Sequence, residues 1–213
     1  MDKIIEPDSL QREFGRTITH LTLASSSPNR RRLLEEAEVS VRVFTPDIDE
    51  SKVGKTHEEQ ILNIASHKLD AYLNSNAFNS DEVALSADTL VLFRGELVGK
   101  LKTEAAAFEF LKEMSGNKHE VLTACGIYIP GLGKSVFLDR ADVIFKTLTD
   151  AEIASYISTD EWMGAAGAYR LQKTGYKLVE HIDGDWTTVV GLPLLEILKR
   201  VNSAALHSAQ SLN

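Results

Sequence analysis

Apolar positions along the chain recur with two different periods, and the period switches repeatedly from one segment to the next. Short runs rich in aliphatic and β-branched residues at 20–24, 41–45, 82–85, 90–93, 121–129, 136–145 and 176–182 predict strands. Between them, residues 28–37, 57–73, 103–114 and 150–158, and the segment after Pro193, carry the signals of helices. The period is clearest over 57–73, where Ile61, Ala65, Lys68 and Tyr72 follow at spacings of four, three and four and share the face turned to the core. Gly95-Glu96, Pro130-Gly131 and Asp183-Gly184 mark turns. Strands alternating with helices predict an α/β fold, a mixed sheet covered by helices. Without an internal repeat or a linker, 20–202 reads as a single domain, with 1–19 as an N-terminal extension and 203–213 as a C-terminal tail.

Composition narrows the functional classes. The 213 residues are 43% hydrophobic, enough for a sizeable core. A net charge of −8 argues against a broad basic face that coats nucleic acid, so an anionic ligand requires a local basic pocket. The apolar stretches 122–129 and 189–195 fall short of the roughly 20 residues that span a bilayer, so no membrane partner is expected. The start of the chain lacks the basic segment and apolar core of a secretory signal, which places the expected location in the cytoplasm. The one cysteine, Cys125, lies in an apolar run and reads as a buried thiol; Cys and His show no zinc-site spacing.

Charged residues interrupt the apolar pattern at a few places where chemistry is possible. Ser25-Ser26-Ser27-Pro28-Asn29-Arg30-Arg31-Arg32 follows the first strand, with serine at the cap and proline at the first helical position. A helix start attracts anions but disfavours cations, so the three arginines call for something negative nearby. Lys68 shares the apolar face of its helix, either snorkelling from its edge or pointing into a phosphate pocket. Asp88 sits in the polar Ser86-Ala87-Asp88-Thr89 between two apolar runs, as a turn residue or a functional acid at a sheet end. Asp47, Asp49 and Glu50 form a second acidic group, and Gly99-Lys100 adds a cation. Carboxylates with lysines and arginines, and no Cys or His cluster, suit a hard cation bound jointly with phosphate oxygens. The segment 165–172 is either a packed loop or a stretch whose polar side chains reach a ligand.

Together these segments resemble the Maf family, in order and in spacing. The matching pieces are Leu23-Ala24-Ser25-Ser26-Ser27-Pro28 with Arg30, Asp49-Glu50, Ala65 with Lys68, Ala87-Asp88-Thr89, and Gly95-Glu96 with Gly99-Lys100. Further on come Met114-Ser115-Gly116, His119-Glu120-Val121-Leu122-Thr123, Ala166-Gly167-Ala168-Tyr169 with Gln172, Gly184-Asp185, and Val189-Val190-Gly191-Leu192-Pro193-Leu194. The resemblance implies an elongated mixed sheet with two lobes around a central cleft, related to the inosine triphosphate pyrophosphatases, and a homodimer. It implies hydrolysis of nucleoside triphosphates to monophosphate and pyrophosphate with a divalent cation (Mg, Mn or Co) as cofactor. By position, Asp88, Glu50 and Lys68 are the catalytic residues, and Glu50 and Asp88 also hold the metal. Ser25, Ser27, Asn29, Arg30, Thr89, Lys100 and Gln172 contact the substrate.

The Ala-Asp-Thr and Ala-Tyr-x-x-Gln forms are similar to the branch acting on dTTP and UTP, so pyrimidines are the expected substrates. Departures are Asn29 in place of an arginine, Leu101 for a proline, Gly164-Ala165 for an acidic-basic pair, and Arg170 and Lys173 for two glycines. Arg170 is expected to return part of the positive charge that Asn29 removes. Two other readings stand beside this one: a nucleotide-binding regulator of septum formation with little turnover, and a pyrophosphatase with altered base preference.

Overall fold

The computed structural model describes residues 8–50 and 54–210 and builds one seven-stranded sheet in the order β2-β1-β3-β5-β6-β7, with β4 paired to β3. The chain runs α1 (Ser9–Thr17), β1 (His20–Ala24), α2 (Pro28–Glu36), β2 (Ser40–Phe44), α3 (His57–Leu73), β3 (Ala84–Phe93) and β4 (Glu96–Val98). It continues with α4 (Glu104–Met114), β5 (Lys118–Ile129), β6 (Gly133–Phe145), α5 (Asp150–Ile157), a 3-10 turn (Thr174–Leu178), β7 (Val179–Asp183), α6 (Trp186–Val190) and α7 (Leu194–Gln210). β1 pairs in parallel with both β2 and β3, whereas β3/β4 and β6/β7 are antiparallel. The fold is therefore the expected mixed α/β sheet.

Contacts divide the chain into two compact units. One consists of the segment ending at Asp88, Thr123–Asp139 and everything from Gly191; the other consists of Thr89–Leu122 and Arg140–Val190. In the first, Leu21, Leu23, Leu34, Leu69, Tyr72 and Leu85 are fully or almost fully buried. In the second, the core gathers Leu111, Met114, Val143, Phe145, Ile153 and Tyr169.

Four elements depart from the sequence pattern. The residues read as an N-terminal extension include α1, opened by a capping box between Asp8 and Gln11 and packed against α2 and α7. Phe14 and Ile18 anchor it in the core, and a buried phenylalanine contributes about 2 kcal/mol by removal from water. α7 extends to Gln210 through the region expected to be a polar tail. Residues 176–178 are a 3-10 turn, so β7 begins only at Val179. The β3–β4 turn is Arg94-Gly95, one residue earlier than Gly95-Glu96. Both residues have positive φ (53° and 81°), the geometry of a two-residue hairpin whose twist matches its strands.

A fifth correction bears on function. Residues 84–85 and 90–93 belong to one unbroken strand, β3, which begins after Glu82 and Val83, and Ser86-Ala87-Asp88-Thr89 lies inside it. Ser86 and Ala87 are fully buried. The Ser86 hydroxyl donates to the Ala65 carbonyl of α3 at 2.6 Å, so its polarity is satisfied within the core. Gly126 of β5 makes this approach possible: a Cβ there would come within 2.6 Å of Ser86 Oγ and 3.2 Å of the Ala65 carbonyl.

Candidate functional site

The start of α2 is organised by Ser25 and Arg30. Ser27 is the N-cap residue and Pro28 opens the helix, as the sequence predicts, but the Ser27 side chain makes no capping bond. Ser25 Oγ instead accepts from the Ser27 amide at 3.2 Å. Arg30, only 8% exposed, turns inward. Its Nε donates to the Gly191 carbonyl at 2.7 Å and its Nη1 to Ser25 Oγ at 3.2 Å, holding the guanidinium in one orientation. Burial pulls the Arg30 pKa below the ordinary arginine value, while the negative charges of Asp88 and, less strongly, Glu50 push it back up. Arg31 and Arg32 do not join it. Each pairs with an acid one turn on, Glu35 and Glu36 respectively, so the balancing negative charge comes from the helix itself. Asn29 is half-buried beside Arg30.

Lys68 lies at the centre of the site. It emerges from the buried stripe of α3 that also carries Ile61, Ala65 and Tyr72. Its Nζ lies 3.0 Å from Asp88 Oδ1 and 2.9 Å from Glu50 Oε1. Lys68 is 7% exposed and its ammonium pairs with the largely buried Asp88 and the exposed Glu50, so it does not reach bulk solvent unpaired. Asp88 enters from β3 and Glu50 from the segment after β2. A buried ammonium with two carboxylates is strongly destabilised if a partner is lost, which makes the triad a unit. Ser25, Arg30, Glu50, Lys68 and Asp88 thus converge, all within the first unit.

Glu50 and Asp88 also supply a test for a divalent cation. The two carboxylates point at one common position, now taken by the Lys68 ammonium. Two protein carboxylates, with the remaining ligands from phosphate and water, are a donor set a magnesium-type ion accepts. Among the described residues no cluster of three or more His, Cys, Asp or Glu could hold a metal without such help. The residues fit an ion bound together with a polyphosphate.

Thr89, Lys100 and Gln172 belong to the second unit. Thr89 follows Asp88 in β3 and therefore points to the opposite face of the strand. Lys100 is exposed and forms an isolated antiparallel bridge with Ala166. Gln172 is half-buried just before the 3-10 turn. The loop 165–172 is tightly built: Gly167 (φ 72°) and Ala168 (φ 57°) are consecutive left-handed residues, and Ala168 is fully buried. Arg170, expected to return part of the charge that Asn29 removes, is tied to its own unit. It donates through Nε to the Glu161 carbonyl at 2.9 Å and through Nη2 to that of Met163 at 2.7 Å, bracing the turn that contains Gly164.

Two features were not singled out from sequence. The Gly191 carbonyl fixes Arg30, a backbone role that composition does not reveal. His119, 1% exposed, lies against Tyr169 and Phe145. The buried Cys125 is as expected; burial pushes its thiol pKa up to about 12, which excludes a reactive thiolate.

A mixed α/β protein with a buried arginine and lysine facing two convergent carboxylates defines a class with a site suited to polyphosphate and a hard cation. The chain belongs to the Maf family: the family model described as Maf-like protein matches residues 20–204. A dTTP/UTP pyrophosphatase of Bacillus cereus is 36% identical over 203 residues, 92% of this chain and 97% of that protein. One of a Geobacillus species is 38% identical over 181 residues, 85% and 96% of the two chains. The solved Ham1 protein of Staphylococcus aureus aligns with 60% of this chain and 72% of its own, at 18% identity and a TM-score of 0.39, a likeness too low to carry any conclusion.

Proposed function

We propose that this chain is a nucleoside triphosphate pyrophosphatase acting on dTTP and UTP, or on modified pyrimidine nucleotides, and releasing the monophosphate and pyrophosphate. The observation that carries this reading is the Lys68 ammonium held between Asp88 and Glu50 beside buried Arg30. That constellation occurs in a chain whose relatives bear the dTTP/UTP pyrophosphatase name over most of its length.

In the proposed mechanism, Arg30 and Lys68 neutralise phosphate oxygens as held positive charges that meet negative charge in the transition state, and Lys100 is assigned as a further phosphate grip. Ser25, Ser27 and the start of α2 add hydrogen-bond donors there. A divalent cation held by Glu50 and Asp88 with the substrate would supply further charge neutralisation and a lower pKa for bound water. Asp88 orients the attacking water and accepts its proton. Lys68 exchanges its carboxylate partners for phosphate as the triphosphate enters, so its buried charge is never left unpaired. Gln172 contacts the base, Thr89 is the second position assigned to base choice, and Asn29, shorter and neutral where an arginine is usual, loosens base discrimination. The retained acids favour turnover over a purely regulatory role.

The same reading takes 20–202 as one catalytic domain with appended ends, and the protein as a cytoplasmic homodimer without nucleic-acid or membrane partners. A panel of ribo- and deoxynucleoside triphosphates with Mg²⁺, Mn²⁺ or Co²⁺, scored as kcat/KM, tests the substrate assignment. Preference for dTTP and UTP supports it; preference for purine triphosphates, or binding without turnover, overturns it.

A further inference from the structure

The second unit contains a buried histidine that the proposed chemistry does not use. His119 opens the apolar part of β5, and its Nε2 lies 2.9 Å from the Tyr169 hydroxyl. The His119, Phe145 and Tyr169 rings meet edge to face in all three pairings, with centroids 5.0–5.4 Å apart. Nδ1 of His119 is buried and has no hydrogen-bond partner, so the Tyr169 hydroxyl is the ring's hydrogen-bonding contact.

Tyr169 is the midpoint of the loop that ends in Gln172. The loop is held at Ala166 by the bridge to Lys100 and at Arg170 by its amide, which donates to the Tyr156 hydroxyl at 3.1 Å. Between these points lie the two left-handed residues Gly167 and Ala168, a conformation that survives in a non-glycine residue only where the surroundings enforce it. The Tyr169 ring packs against this turn, 3.5 Å from where a Cβ on Gly167 would sit, and His119 hydrogen-bonds its hydroxyl. If that bond is lost, a buried hydroxyl is left unsatisfied and the loop has reason to shift.

We propose that His119 is a positioning residue for base recognition: through Tyr169 it fixes the part of the loop that presents Gln172. The inference rests on the reading of Gln172 as a base-contacting residue. His119 touches no substrate in this scheme; it sets where the recognition loop stands.

The test compares His119→Phe, His119→Gln, Tyr169→Phe and the double variant His119→Phe/Tyr169→Phe. Phenylalanine keeps the ring packing and removes the hydrogen bond, whereas glutamine can place its amide where Nε2 lies. His119→Phe and Tyr169→Phe should each raise KM for dTTP about tenfold, the scale of one buried hydrogen bond, and reduce the kcat/KM ratio of dTTP to dCTP. His119→Gln should restore that ratio, and the double variant should be no worse than the worse single one. Binding of inorganic triphosphate, which has no base, should stay unchanged. An unchanged dTTP to dCTP ratio in both folded single variants, or an equal loss of inorganic triphosphate binding, would overturn the proposal. If His119→Phe does not fold, Tyr169→Phe alone decides. Absence of any pyrimidine preference in the unmodified enzyme would instead be a failure of the functional assignment, visible before any variant is made.

Discussion

Lys68 shows how far the sequence reaches at the level of a single residue. Its place on the apolar stripe of α3 was legible. Its partners were not, because Asp88 is twenty residues away in sequence and Glu50 eighteen, and only tertiary packing brings them to 3.0 and 2.9 Å. The arrangement has a consequence for metal binding. An ammonium at the focus of two carboxylates competes with any cation for the same oxygens. Lys68→Gln should therefore bind Mn²⁺ several-fold more tightly than the unmodified protein in the absence of nucleotide, while binding triphosphate more weakly. Manganese EPR titration reads the first effect; unchanged or weaker Mn²⁺ binding contradicts it. Asp88→Asn keeps the side chain's shape and a hydrogen bond to offer, so the fold should persist while kcat falls by roughly 10²-fold or more. Steady-state rates with a circular dichroism check test this, and near-normal turnover in the folded variant removes Asp88 from the chemistry.

Among the elements, β3 was the one most misread. Ser86 and Ala87 looked like a polar break because a hydropathy pattern counts a serine as exposed. In the fold its hydroxyl is satisfied by the Ala65 carbonyl. α1 escaped notice for a related reason: its apolar face is only Leu10, Phe14 and Ile18 among polar residues, one of which, Gln11, is itself buried. The strands β1 and β2 and the helices α2 to α5 were legible because their signals are local: a cap, a proline, a regular stripe. The close approach at Gly126 is what lets α3 present Lys68 to Asp88. Gly126→Ala should push that contact apart, costing about 1–3 kcal/mol as overpacking and lowering turnover as well. Denaturant unfolding with parallel rate measurements checks both; a neutral result on both counts means α3 and β3 have room that the packing does not suggest.

At the scale of the whole molecule, the α/β class was readable from alternation, whereas the division into two units was not. The units are assembled from interleaved segments, and β3, β5 and β6 each contribute residues to both, so no linker marks the boundary. Stability of the whole should carry the signature of His119. Burial lowers its pKa from 6.5 to about 4, with Asp142 acting weakly in the opposite sense. The folded protein then binds fewer protons than the unfolded chain between these values. The His119 contribution is fully present above pH 6.5 and is lost as pH falls from 6.5 towards 4, by an amount on the order of 3 kcal/mol. Urea unfolding over that range should show a shallower decline in His119→Gln than in the unmodified protein; identical slopes would mean that the imidazole is not held neutral.

Phosphorus NMR of a dTTP digest decides whether the Lys68, Asp88 and Glu50 constellation performs the proposed reaction. With a divalent cation present, dTMP and pyrophosphate should appear in equal amounts from the first time point and stop accumulating when the cation is chelated. Orthophosphate with dTDP as the first products, or an undiminished rate in chelator, would contradict the assignment.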